Sequence, residues 1–358
     1  MRITLNKKPE GIALMIVMVA VLSLSILAAA YAFRMKVEAR LAMNSNNEAE
    51  LEWMGRSGME TAKWVLSEDM KISPLDSLDD FWAGGSGGPA MSNSPLNGFS
   101  MTGIKCGNGE YSISSIVDQE RKANINTADA QILEQAMVLM GVDAGQYPGI
   151  INAIQDWIDP DHATRMDGAE DDYYESADPA YHAKNGAIDD LSELLLIKGI
   201  ADNPDIYYGA SAGTATPSRI NRNSNPRLGF HADVPIYAVG LKDLFTPVSS
   251  GKINLNTASE VVLQMIPGVD ERVAQEIIRL RTGPDGTGYV PLNNPGELIN
   301  AGVPPNAVQQ ISRYCDVRSR TFEVNVDATV GLSKAKFRAI LIRNNPRDIQ
   351  VTGFHKVE

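Results

Sequence analysis

Twenty-two consecutive residues, Ile12 to Phe33, carry no charge and are mostly large and apolar. As a helix they would extend roughly 33 Å, enough to cross the hydrocarbon core of a bilayer. This run commits the N-terminal end of the 358-residue chain to lipid and leaves the rest for water. The remainder is no disordered tail. Apolar residues make up 44% of the chain and charged residues 21%, ordinary values that allow two or three domains with cores. The net charge of -12 opposes nucleic-acid binding, which needs clustered Lys and Arg to neutralise phosphates.

Three readings fit the apolar run. Ala30-Tyr31-Ala32 suits an ordinary secretory cleavage site, although the run exceeds the usual length of such a signal. A plain N-terminal anchor is the second. The third, which we prefer, is a prepilin leader at Lys7-Lys8-Pro9-Glu10-Gly11, with cleavage after Gly11 and a mature chain beginning at Ile12, because the apolar run starts directly after that glycine. Lys7 and Lys8 favour a cytoplasmic N-terminus, while Arg34, Lys36 and Arg40 beyond the span weaken that bias.

Leu51, Met54, Gly58, Ala62 and Val65 recur at helical spacing, which predicts one long helix, half in lipid and half laid on a sheet. Asn44-Ser45-Asn46-Asn47, a poor helix former, is expected to loosen its middle. Residues 110–118 read as a strand. At 321–330 apolar and polar residues alternate as in a half-buried strand, and another is expected at 335–342. Some two hundred mainly helical residues lie between, so the fold class is α+β with a helical insert.

The insert repeats itself. Asn124-Ile125-Asn126-Thr127-Ala128 returns as Asn254-Leu255-Asn256-Thr257-Ala258, each threonine a candidate N-cap for a following helix. Met140-Gly141-Val142-Asp143 answers Pro267-Gly268-Val269-Asp270, each before another helical stretch, and a third glycine turn at Gly199 follows a helix expected near 189–197. Such units resemble helix-hairpin-helix or SAM-like modules. In DNA-binding hairpins a glycine turn offers backbone N–H groups to a phosphate. Here residues 124–162 hold no Lys or Arg but six acids, and the basic residues of the second copy are balanced by acids, so no nucleic-acid partner is expected.

From Asp156 to Asp178 nine acids accompany one arginine. Crowded carboxylates repel one another unless a cation joins them, and oxygen ligands with a glycine for a sharp turn suit Ca²⁺. A solvated acidic surface loop stays open as the plainer reading. No nucleophile–base pair or phosphate loop accompanies the acids, so no catalytic residue and no enzymatic activity is expected.

Together these features resemble the type II secretion minor pseudopilin K family, or general secretion pathway protein K. The resemblance rests on Trp157-Ile158-Asp159-Pro160-Asp161, Gly168-Ala169-Glu170-Asp171, Tyr174, Asn185, Leu191-Ser192-Glu193-Leu194, the 251–258 block and the leader at 7–11. It implies a single-pass protein of the bacterial inner membrane with a large periplasmic part, processed and N-methylated by a prepilin peptidase. It further implies an N-terminal transmembrane/pilin helix on an antiparallel pilin-like sheet, with the helical domain inserted. The implied place is the tip of a periplasmic pseudopilus, with the minor pseudopilins I and J above the major pseudopilin. Structural calcium carries over to Asp159, Asp161, Glu170 and Asp171, with Asp156, Asp167 and Asp172 as outer candidates. Most pilins have Glu where Ile16 stands, and family K typically lacks it. A subunit without that carboxylate fits the first position of a fibre.

The expected domains are the leader 1–11, the span 12–33 and the outer helix 34–70. A sheet follows from 71–123 and 313–358, with a first helical domain at 124–211, a connection at 212–250 and a second helical domain at 251–312. In an oxidising periplasm Cys106 and Cys315, the only two cysteines, are expected to pair. A membrane-anchored DNA-binding or DNA-uptake protein using its hairpins is the alternative function.

Overall fold

The computed structural model describes residues 10–209, 218–219, 235–282 and 289–357. The basic leader ahead of Glu10 and much of the 212–250 connection lie outside them. A single helix runs from Glu10 to Ile72. At 1.5 Å per residue it is roughly 95 Å long. From Ile12 to Asn46 every residue is exposed, and this stretch is long and apolar enough to cross a membrane. From Leu51 onward one face is covered: Leu51, Met54, Met59, Ala62, Val65 and Leu66 are buried. Leu51, Met54, Ala62 and Val65 belong to the stripe read from the sequence, and Met59 and Leu66 lie beside it on the same face. Each large side chain so buried contributes about 1.5–3 kcal/mol.

Two glycines on this stripe let the helix approach the sheet closely. A Cβ at Gly55 would sit 2.5 Å from the Phe337 ring, and one at Gly58 would sit 2.4 Å from Val326 Cγ1. The expected loosening at Asn44–Asn47 does not occur. Asn46 Nδ2 donates to Glu50 Oε1 one turn on, and Asn47 Nδ2 donates to Ser333 Oγ on the sheet. These side chains serve the helix and its contacts instead of competing for the backbone.

The sheet has five antiparallel strands in the order Ile104–Cys106, Gly109–Asp118, Thr321–Val330, Ser333–Asn345 and Asp348–Val357. Thr321–Val330 alternates as read, with Phe322, Val324, Val326, Ala328 and Val330 buried. The expected 335–342 strand is longer, and the final strand was not foreseen. The helical insert leaves after Asp118 and returns before Thr321. Asp118 pairs with Phe322 across the neighbouring strands, so both ends of the insert meet at one end of the sheet. An excursion that leaves and rejoins at adjacent points leaves the sheet pairing intact.

Helix and sheet form one core, and the insert forms a second. Buried residues from Ala123 to Val317 form one cluster, so both repeats share it. Leu241, Leu244 and Phe245, within the expected connection, are buried in this core. Cys315–Asp316 pairs in parallel with Ile253–Asn254, which places the residues just before Thr321 with the insert rather than the sheet.

The expected disulfide is absent. Both cysteines are free thiols. Cys106 is exposed at the tip of the first hairpin, whereas Cys315 is buried in the insert core. Flanking a strand does not bring two residues together when the strands belong to different cores.

Candidate functional site

Each repeat opens with an asparagine clamp. Asn124 Oδ1 accepts the Asn126 N–H at 2.9 Å, and Asn254 Oδ1 accepts the Asn256 N–H at 2.8 Å. The second asparagine then grips a distant backbone at two points. Asn126 bonds the carbonyl and N–H of Ile188 at 2.9 and 2.7 Å, and Asn256 bonds those of Leu292 at 3.1 and 2.9 Å. The threonines are not the caps. Asp129 and Ser259 cap the next helices, accepting from Ile132 and Val262. Two further helices, Tyr147–Ile158 and Glu271–Arg281, follow the glycine turns.

The third turn also has a counterpart. Leu191–Leu196, a 3-10 helix within the expected helical stretch, precedes Gly199 at φ 83°; Pro295–Ile299 precedes Gly302 at φ 82°. The repeats differ between the second helix and the clamped backbone. Thirty residues separate Ile158 from Ile188, against 11 from Arg281 to Leu292. The acidic segment fills the longer path.

There the structure brings Asp159, Asp161 and Glu170 together: one carboxylate oxygen from each lies within 4.8 Å of the others. Asp159 ends the Tyr147–Ile158 helix, and Glu170 directly precedes the short helix Asp171–Tyr174. Glu170 is 4% exposed, yet neither of its carboxylate oxygens has a donor. Asp159 Oδ1 and Asn185 Oδ1 are likewise buried without one. Burial first, then repulsion from Asp156 and Asp159, holds the Glu170 carboxyl above the usual range. Acceptor oxygens without donors are what a hard cation satisfies, so this donor set fits Ca²⁺.

The outer candidates do other work. Asp156 is fully buried and already answered, by Arg165 Nη1 at 2.7 Å and by the Ala169 N–H at 2.9 Å. Gly168 is required beside it, because a Cβ there would lie 2.0 Å from Asp156 Oδ2. Asp171, the fourth main ligand expected, does not join the other three: it turns Oδ1 to the Ala183 N–H at 2.8 Å and sits 3.7 Å from both His162 and His182. Asp167 adopts φ 59°, and its carbonyl accepts from Lys198 Nζ. Asp172 is exposed.

Sequence reasoning missed two contributors. Arg165 bridges Asp156 and Asp159 and supplies the one local guanidinium. Asn185 entered only as part of a motif, although its φ of 47° marks a residue held in an uncommon backbone conformation.

The hairpins themselves present little to a phosphate. Arg281 is 6% exposed and donates to the Leu255 and Ala258 carbonyls at 2.7 Å each. Lys252 donates to the Arg313 carbonyl, and Arg279 pairs with Glu276.

Comparison with known proteins agrees with this architecture. The family model for type II secretion system protein K matches residues 109–206, from the second strand through the acidic segment. Over these residues the chain resembles the type II secretion system protein K family. A helix-hairpin-helix model matches residues 248–287, the second repeat. A protein K of Pectobacterium carotovorum subsp. carotovorum is 26% identical over 254 residues, covering 69% of this chain and 67% of that protein. A relative in Escherichia coli K12 is 38% identical over 74 residues, 21% of this chain and 23% of its own length. The fold is that of one solved structure, a GspK-GspI-GspJ complex from enterotoxigenic Escherichia coli. It matches 88% of this chain and 99% of the other at TM-score 0.62 and 17% identity.

Proposed function

We propose that this chain is a minor pseudopilin of the protein K family, a structural subunit at the tip of a type II secretion pseudopilus, and not an enzyme. The observation that carries the proposal is the long helix, bare from Ile12 to Asn46 and seated on its sheet only from Leu51 on. A helix built this way anchors in the inner membrane and leaves an apolar flank for neighbouring helices, while the sheet and insert stand in the periplasm. The related complex joins GspK to GspI and GspJ, and the same two kinds of partner are proposed here. Ile16 is 64% exposed on the membrane segment. Lacking a carboxylate there, this subunit has no group to neutralise the N-terminus of a subunit above it, which suits the top of a fibre.

The test is co-expression with the minor pseudopilins I and J. The full chain should co-purify with both, and its N-terminus should be an N-methylated Ile12 produced by a prepilin peptidase. Ile16→Glu places a carboxylate in lipid at about 2.5–3.5 kcal/mol unless paired. It should impair assembly, and improved incorporation along the fibre shaft would refute the tip role. We further infer that Asp159, Asp161 and Glu170 hold a structural Ca²⁺, which would supply charge neutralisation and tie the two ends of the acidic segment.

A further inference from the structure

A second group of acids lies some distance from the loop, where the end of the long helix meets the sheet. Asp69, Asp76 and Asp80 are 3%, 2% and 9% exposed, and one carboxylate oxygen from each lies within 4.8 Å of the others. Two of the three are well supplied with donors. Asp76 accepts the Ser319 N–H at 2.8 Å and pairs with Arg343 Nη2. Asp80 accepts from the Ser77 N–H at 2.7 Å and from the Ser77 hydroxyl and Trp82 indole N–H at 3.3 Å each.

Asp69 is the exception. Its Oδ2 is buried with no hydrogen-bond donor, and the nearest cation, Arg343 Nη1, stands off at 3.8 Å. Arg343 is not free to close that gap. Its guanidinium donates to the Leu66 carbonyl at 3.3 Å and the Ser319 carbonyl at 3.1 Å, and stacks 4.7 Å over the Phe322 ring. The neighbouring Asp118 offers no relief: it is itself a carboxylate, whose own oxygens take donors from Glu120, Thr257 and Ser319.

We propose that Asp69, Asp76 and Asp80 form a divalent-cation site, separate from the acidic loop, that fastens the end of the long helix to the sheet. Charge bookkeeping favours two positive charges. When ionised, Asp69, Asp76 and Asp80 outnumber the Arg343 guanidinium by two, the neighbouring Asp118 adds to the excess, and buried charge is little screened, so a divalent ion offsets more of it than a monovalent one. The donor set is all oxygen, which selects a hard ion. The irregular arrangement around an immobile arginine suits Ca²⁺, whose coordination is flexible, better than Mg²⁺, which demands a near-ideal octahedron.

Trp82 makes the site observable, because its indole bonds the Asp80 carboxylate. The full chain in detergent would be prepared as an Asp159→Asn/Glu170→Gln parent, which removes the loop site. Elemental analysis after equilibration with Ca²⁺ should find one ion per chain in this parent, and none once Asp69→Asn is added. Terbium bound to the parent should emit on tryptophan excitation, and Trp82→Phe should cut that emission several-fold while the stoichiometry stays at one. A parent that binds no ion overturns the proposal. So does unchanged stoichiometry in Asp69→Asn, or unchanged terbium emission in Trp82→Phe, which leaves the carboxylates in place and decides the matter if Asp69→Asn fails to fold.

Discussion

The two repeats of the insert are built on one frame and closed in two ways. Both begin with the paired asparagines, both turn at a left-handed glycine, and both end in a two-residue parallel bridge, Ala123–Asn124 with Phe245–Thr246 and Ile253–Asn254 with Cys315–Asp316. In the second repeat the path from the second helix to the clamped backbone is short, and Asn256 is fully buried. In the first the path is nearly three times as long, and Asn126 is partly exposed. Carboxylates are frequent along that path, and Ala169, Tyr174 and Ile188 on it are buried. The frame is therefore closed by burial in one copy, and in the other by burial together with a cluster of carboxylates.

That contrast can be broken most directly at the clamps. Asn256→Ala orphans the buried N–H and carbonyl of Leu292, each about 1–3 kcal/mol. It should destabilise the chain by about 3–5 kcal/mol in denaturant melts. Asn126→Ala should cost about 1–2 kcal/mol, since Asn126 is itself partly exposed and its truncation opens a path for water to the Ile188 groups. Equal losses would mean that the copies are closed alike.

Calcium sharpens the contrast from the other side. An ion that binds only the folded form stabilises by about 2.7 kcal/mol at a hundredfold excess over Kd. A chelator should lower the melting temperature of the chain, and Asp159→Ala or Glu170→Ala should reduce the part of that shift that comes from the loop, with Mg²⁺ a poor substitute.

A smaller effect concerns pH in the chelated protein. The folded Glu170 carboxyl is held above its ordinary value, so the folded state binds more protons than the unfolded chain between the two values. Stability should fall as pH rises from the ordinary glutamate range through the raised folded value. Calcium, which needs the ionised form, should flatten that fall, and Glu170→Gln should remove Glu170's share of it. Melting curves collected across this range, with and without Ca²⁺, check the sign.

The smallest expected effect is in thiol labelling. Cys106, exposed on the hairpin, should react at once in the native protein, while Cys315, on the bridge of the second repeat, should react only as that repeat opens. Because the repeats share a core, chelation should raise the Cys315 rate modestly and leave Cys106 unchanged. No change at Cys315 would show that the copies open independently.

Local pattern made much of this molecule legible in its sequence. The uncharged run from Ile12 to Phe33, the stripe from Leu51 to Val65 and the alternation at 321–330 each record the period of an element and the face it buries. The repeated asparagine blocks announced the duplication, and the density of acids after Trp157 marked the loop. Tertiary structure alone decided which acids meet. Asp159 and Asp161 face Glu170 because the chain turns at Gly168, while Asp156 is diverted to Arg165 and the Ala169 N–H. It also separated Cys106 from Cys315 by assigning them to different cores, and gathered Asp69, Asp76 and Asp80 around Arg343, more than 250 residues away in the chain. Periodicity is a property of neighbours along the chain and can be read from it. Which carboxylate finds a donor and which is left without one depends on contacts between distant segments, and only the folded chain sets those.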